Sequence, residues 1–161
     1  MSQALRKVTP INETLTDNNY TESDATSVEL LTSNYTPKVI RQIREKISDL
    51  SSLAENWDGY NAKKISQPAF YGALDFAIEM ILSDTPMPDI FPVPNGNIQM
   101  EWSCYGIDLE VEIKSQSTCI VLFEDLDDPN NQWEEVIGYD RTKVSEAIKS
   151  LTLRHRRSRD N

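Results

Sequence analysis

Asn56-Trp57-Asp58-Gly59-Tyr60 interrupts a helical pattern, and Pro94-Asn95-Gly96-Asn97-Ile98-Gln99-Met100-Glu101-Trp102 opens a stretch of alternating residues. Together they hold two of the three tryptophans and two of the five glycines in the chain. Glycine reaches positive φ without steric cost and tryptophan buries a large apolar surface, so each segment reads as a bend pinned by packing. The pair predicts an α+β fold. Two N-terminal helices pack on a three- to four-stranded antiparallel β-meander, and a C-terminal helix follows.

Upstream of the corner, Ile40, Ile43, Ile47 and Leu50 recur at helical spacing, with Ala54 continuing the stripe. Arg41, Arg44, Glu45, Lys46 and Asp49 fill the opposite face. Thr36 suits the N-cap and Pro37 the first turn, while Gly59 suits the stop. The second helix starts at Ser66, a capping residue, with Pro68 in its first turn. Phe70, Ala73, Leu74, Ala77, Ile78, Ile81 and Leu82 form a stripe wide enough to predict burial on more than one side.

Pro86, Pro88, Pro92 and Pro94 then force extended backbone. They read as a stiff connector with Ile90, Phe91 and Val93 tucked inward, in preference to a proline-rich docking peptide. Ile98, Met100 and Trp102 alternate with Gln99 and Glu101. Ile107, Leu109, Val111 and Ile113 alternate with Asp108, Glu110, Glu112 and Lys114. Both segments are strands with one wet face. Cys104-Tyr105-Gly106 and Ser115-Gln116-Ser117 are turns. The next strand, Thr118 to Glu124, is apolar at Ile120, Val121, Leu122 and Phe123, the pattern of a strand that is central or covered on both faces. A weaker strand falls around Gln132 to Tyr139. Asp140 caps a last helix with Val144, Ala147, Ile148 and Leu151 inward.

The domain plan is a flexible arm at 1–36, a single α+β domain at 37–152 and a frayed basic tail at 153–161. The arm is polar, with a short element around Val28 to Leu31 able to dock. No run approaches the ~20 apolar residues of a membrane span, and the N-terminus lacks an apolar leader core. Cys104 and Cys119 read as reduced, buried thiols of a cytoplasmic protein, with a cross-strand disulfide as the alternative.

Net charge is −10, which repels polyanions and favours a basic partner surface where a partner exists. The acids fall in two groups. Asp108, Glu110 and Glu112 share one strand face, with Glu101 on the neighbouring strand. Glu124, Asp125, Asp127 and Asp128 follow, the last three in an acidic loop. The plain reading is solvated surface; the functional one is a negative field that imitates nucleic-acid phosphates and engages a basic protein. Divalent-cation binding or paired-carboxylate chemistry is the weaker reading, because no second class of catalytic residue stands beside them. No metal ligand set, no cofactor motif and no catalytic residue is assigned. His155, the sole histidine, sits among Arg154, Arg156, Arg157 and Arg159, where a mobile tail cannot hold acid–base geometry. That arginine cluster either touches nucleic acid or neutralises the chain's own acids. Trp57, Asp58, Gly59, Tyr60 and Trp102 read as a buried structural corner, with the Asp58 carboxylate bonding backbone amides.

The corner, the helix after it, the proline-rich link and Asn95-Gly96-Asn97-Ile98-Gln99-Met100-Glu101-Trp102 resemble a loose family of small bacterial, plasmid and phage proteins. That family carries a pattern like NWDGYGA, then PDGGIxLEW and a β-hairpin. The chain departs from it at Asn61, Asn95 and Asn97, and the resemblance spans residues 50 to 113. It implies a shared fold and a mobile-element setting. The family has no established activity, so no site residue is carried over. The expected function is a non-enzymatic protein-binding module, an inhibitor or antitoxin-like neutraliser acting through the acidic surface. The alternative is a nucleic-acid-associated accessory protein using the arginine-rich tail.

Overall fold

The structure, a computed structural model, describes residues 37–160. The expected arm at 1–36, with its Val28–Leu31 element and the Thr36 cap, lies outside the described residues. The elements run α1 (Lys38–Ser51), α2 (Gln67–Met80), β1 (Asp89–Pro92), β2 (Ile98–Cys104), β3 (Ile107–Ser115), β4 (Thr118–Asp125), β5 (Gln132–Ile137) and α3 (Thr142–Arg159). The α+β class is as the sequence implies. The sheet is an antiparallel meander in the order β1-β2-β3-β4-β5, five strands instead of three or four. The additional strand is β1, inside the proline-rich link. It can be a strand because it lies at the sheet edge, where a missing N–H breaks no central ladder. Of the three residues expected to face inward there, Ile90 is buried, whereas Phe91 points out and is 46% exposed.

Helix α1 buries Val39, Ile40, Ile43, Ile47 and Leu50. It ends sooner than the stripe implies: Ser52 closes it by donating to the Asp49 carbonyl, and Ala54 is exposed. Ser66 caps α2 by accepting from the Ala69 amide at 3.3 Å, with Pro68 in the first turn. Its buried stripe is narrower than expected, because Ile78 is 65% and Leu82 38% exposed. What lies against the sheet is a row of small residues, Ala69, Gly72, Ala73 and Ala77, with Phe76. This lets the α2 backbone come close to the β3–β4 turn. A Cβ added at Gly72 would stand 2.4 Å from the Ser115 carbonyl carbon.

The three helices of the described residues cover one face of the sheet. Ile98, Met100, Trp102, Ile107, Leu109, Val111, Ile113, Val121 and Phe123 pack there with Ile43, Ile47, Phe76, Ile148 and Leu151 into one core. Trp102, 2% exposed, donates its indole N–H to the Pro86 carbonyl at 2.8 Å, tying β2 to the link. Cys104 and Cys119 are both free. They sit at opposite ends of the ladder, since Cys119 pairs with Ile113 and Cys104 with Ile107. Six residues of strand separate those levels, about 20 Å, too far for a disulfide.

The C-terminal residues are not a frayed tail. Helix α3 runs on to Arg159, and its last turns are held by side-chain bonds. Arg154 donates to Asp125 at 2.6 Å, to Asp127 at 2.9 Å and to the Gly106 carbonyl at 3.0 Å. Arg156 pairs with Asp84 at 2.9 Å. His155 stacks on Tyr105 with centroids 5.1 Å apart and bonds the Asp84 carbonyl through Nδ1 at 2.8 Å. Local pattern understated this helix because its closing contacts come from residues distant in sequence.

Candidate functional site: the uncovered sheet face

Side chains alternate across a strand, so burying one set of the meander presents the other set together. The register orders them in rows. One row runs Asp89, Glu101, Glu110, Leu122 and Glu134; the next runs Phe91, Gln99, Glu112, Ile120 and Val136; a third runs Ser103, Asp108, Glu124 and Gln132. Five of the expected partner-binding residues, Glu101, Asp108, Glu110, Glu112 and Glu124, therefore share one open face. The ion pairs formed among the described residues, by Arg141, Lys143, Arg154 and Arg156, engage none of them.

Like charges face each other across this ladder. Glu101 is the direct partner of Glu110, and Asp108 of Glu124. Partial burial, then Glu101, Asp108 and Glu124, push the Glu110 carboxyl above the ordinary glutamate value. An amide and a hydroxyl soften part of the repulsion. Gln99 donates to Glu101 at 2.6 Å and to Glu110 at 3.2 Å, and Ser103 donates to Asp108 at 2.5 Å. At Glu112, burial acts to raise the pKa, but hydrogen bonds from Asn95 and Asn97 and the nearby Lys114 outweigh it and hold the group low. Asn95 and Asn97 reach Glu112 at 2.9 and 2.6 Å, so the turn between β1 and β2 fixes that carboxylate.

The second acidic group divides. Asp125 and Asp127 do not join the open face; Arg154 binds both, and Asp125 is buried. The reason is strand parity, since Asp125 falls one residue beyond Glu124 and so points to the helix side. Arg154 first of all, with the Asp127 amide and Asn131, holds Asp125 below the ordinary aspartate value, against the cost of burial. Asp128 is exposed in the loop, where it accepts from the Asn130 amide at 3.1 Å.

The corner keeps its Asp58 bonds but not its expected burial: Trp57 and Asp58 are half-buried, and Gly59 and Tyr60 are exposed. Asp58 accepts from the Tyr60 and Ala62 amides at 2.7 and 3.1 Å, and Gly59 has φ of 79°. Trp57 is half-buried and donates to the Lys63 carbonyl at 3.0 Å. Tyr60, however, is 87% exposed: the αL turn at Gly59 swings it outward. The loop then joins the β1–β2 turn through Lys63 N–H to the Pro94 carbonyl and Ser66 N–H to the Gly96 carbonyl. The two segments that define the sequence are thus neighbours in space. They brace the end of the sheet from which Asn95 and Asn97 reach Glu112.

His155 is held by Asp84 and Tyr105 beside basic residues. Burial pushes both thiols up, with Asp108 adding to the effect at Cys104, so neither is primed as a nucleophile. Among the described residues no group of three or more His, Cys, Asp or Glu side chains is placed to hold a metal ion, and no helix is long and apolar enough to cross a membrane. Sequence reasoning missed one part of the face: Ile120, Leu122 and Val136, apolar side chains left on the uncovered side. For Ile120 and Leu122 the signal was the unbroken apolar run in β4. Compared with protein-family models, curated proteins and solved structures, the chain matches none.

Proposed function

We propose that this domain is a non-enzymatic protein-binding module whose open sheet face receives a basic surface of a partner protein. The observation that carries the reading is the direct opposition of like charges, Glu101 to Glu110 and Asp108 to Glu124, with no paired cation among the described residues. Directly opposed carboxylates cost a sheet stability. A cationic partner relieves that repulsion and adds attraction, which favours fast, salt-sensitive association. The resemblance to plasmid and phage proteins extends the reading to an inhibitor or antitoxin-like neutraliser in the cytoplasm, its carboxylates standing where a nucleic-acid enzyme expects phosphates.

The nucleic-acid reading of the C-terminal arginines is weaker. Arg154 and Arg156 are engaged with Asp125, Asp127 and Asp84, which leaves Arg157 and Arg159 exposed. Titration calorimetry with an arginine-rich peptide tests the proposal. Replacing Glu101, Glu110 and Glu124 together by Gln is expected to weaken binding by about tenfold or more. Arg157→Ala with Arg159→Ala leaves it unchanged. Wild-type affinity in the triple variant sinks the reading, and oligonucleotide binding that disappears with Arg157 and Arg159 replaces it with the alternative.

A further inference from the structure

Strand β4 carries more apolar surface than its helices cover. An unbroken run, Ile120-Val121-Leu122-Phe123, belongs to a strand packed on both faces. Here Val121 and Phe123 enter the core, while Ile120 and Leu122 stand half-buried on the open side. Val136, the direct cross-strand partner of Ile120, is 70% exposed on the same side. The three make a compact apolar triangle. The register surrounds it with carboxylates: Glu112 opposite Ile120, Glu110 and Glu134 on either side of Leu122, and Glu124 two residues along the strand. A shallow depression of about 210 Å³ adjoins it, lined in part by Leu122, Glu124, Gln132 and Glu134.

We infer that this triangle and its acid ring seat a cationic amphipathic helix of the partner protein. The inference rests on the function proposed above and names the partner's element. Charge selects the occupant. A second copy would bring the same acid ring, and residues 1–36 carry five carboxylates against two cations, whereas a helix flanked by Lys and Arg complements the ring. Spacing selects the conformation. Cross-strand and same-face neighbours in the triangle lie about 5–7 Å apart. Helix side chains three and four residues apart meet that spacing at about 5–6 Å and set cations on both flanks of the apolar stripe. One bulky side chain of that stripe fills the depression beside Leu122, the buried-anchor arrangement that dominates interface energies.

The test uses the full chain and two synthetic Leu/Lys peptides of identical composition. One has a helical apolar stripe and the other has the leucines scrambled. The patterned peptide is expected to bind about tenfold or more tightly than its isomer. Leu122→Asn with Val136→Asn should erase the preference, and amide chemical shifts should move around residues 120, 122 and 136. Val136→Asn alone, at an exposed position, reduces the preference without a folding demand. Equal binding of the two peptides to wild type overturns the apolar seat, and so does a preference that Val136→Asn leaves undiminished. In either case, binding that still requires Glu101, Glu110 and Glu124 leaves the broader acidic reading standing. Failure of both peptides to bind overturns both proposals. Self-association that Val136→Asn abolishes identifies a second copy as the occupant and also overturns this one.

Discussion

At Gly72 a single missing methylene decides how close a helix lies. The residue has no special backbone conformation; its value is the 2.4 Å separation between its would-be Cβ and the Ser115 carbonyl carbon. That neighbour is backbone, held in a turn where Gln116 bonds Asp75 at 2.7 Å and Arg141 bonds the Gln116 carbonyl. The turn cannot yield without breaking those bonds. Gly72→Ala is therefore expected to destabilise the domain by about 1–3 kcal/mol, despite the better helix propensity of alanine. Urea unfolding reads this as a lower midpoint at unchanged slope. A stabilised variant would show that α2 is free to move off the turn.

At the scale of elements, Arg154 is the clasp. It joins the end of α3 to the β2–β3 turn and the β4–β5 loop by bonding Gly106, Asp125 and Asp127. The β2–β3 turn is a two-residue connection in which Tyr105 and Gly106 both have positive φ, 56° and 71°. A non-glycine residue is strained there, and the His155 stack on Tyr105 together with the Arg154 bonds holds it. Arg154→Ala leaves Asp125 buried without its cation and is expected to cost about 1–3 kcal/mol. The pH dependence has a definite sign. Arg154 lowers the folded pKa of Asp125, so its contribution is present above the ordinary aspartate value. It disappears as pH falls through the lower folded value. The gap between wild type and variant in thermal melts should be widest near neutrality and narrow in acid. A gap independent of pH would assign the loss to packing alone.

Across the described domain, helices on one side of the sheet and carboxylates on the other leave it apolar within and self-repelling without. Glu110 sits at the centre of the repulsion. Its raised pKa means that the folded state favours the protonated form, a contribution fully present below the ordinary glutamate value and lost as pH rises through the folded one. Glu110→Gln is accordingly expected to raise the melting temperature at neutral pH, by a few tenths of a kcal/mol of stability, and to lose that advantage in acid. Added salt should stabilise wild type more than the variant, because screening relieves the same repulsion. A variant that melts lower at neutral pH would show that the Gln99 bond to Glu110 outweighs the neighbouring charges.

Period and punctuation in the chain were enough for the α+β class, the existence and alternation of β2 and β3, the Ser66 cap and the Asp58 turn, because each depends on residues within a few positions of one another. Strand alternation likewise grouped Glu101, Asp108, Glu110 and Glu112 on one face, and the register across β3 and β4 added Glu124. Tertiary structure alone decided the rest. It made a strand of the proline-rich link by placing it at an edge, and it paired Asp125 and Asp127 with Arg154. It also left Ile120, Leu122 and Val136 uncovered. Each of these depends on which distant element lies opposite a residue, and the alternation of side chains along one strand carries no record of that.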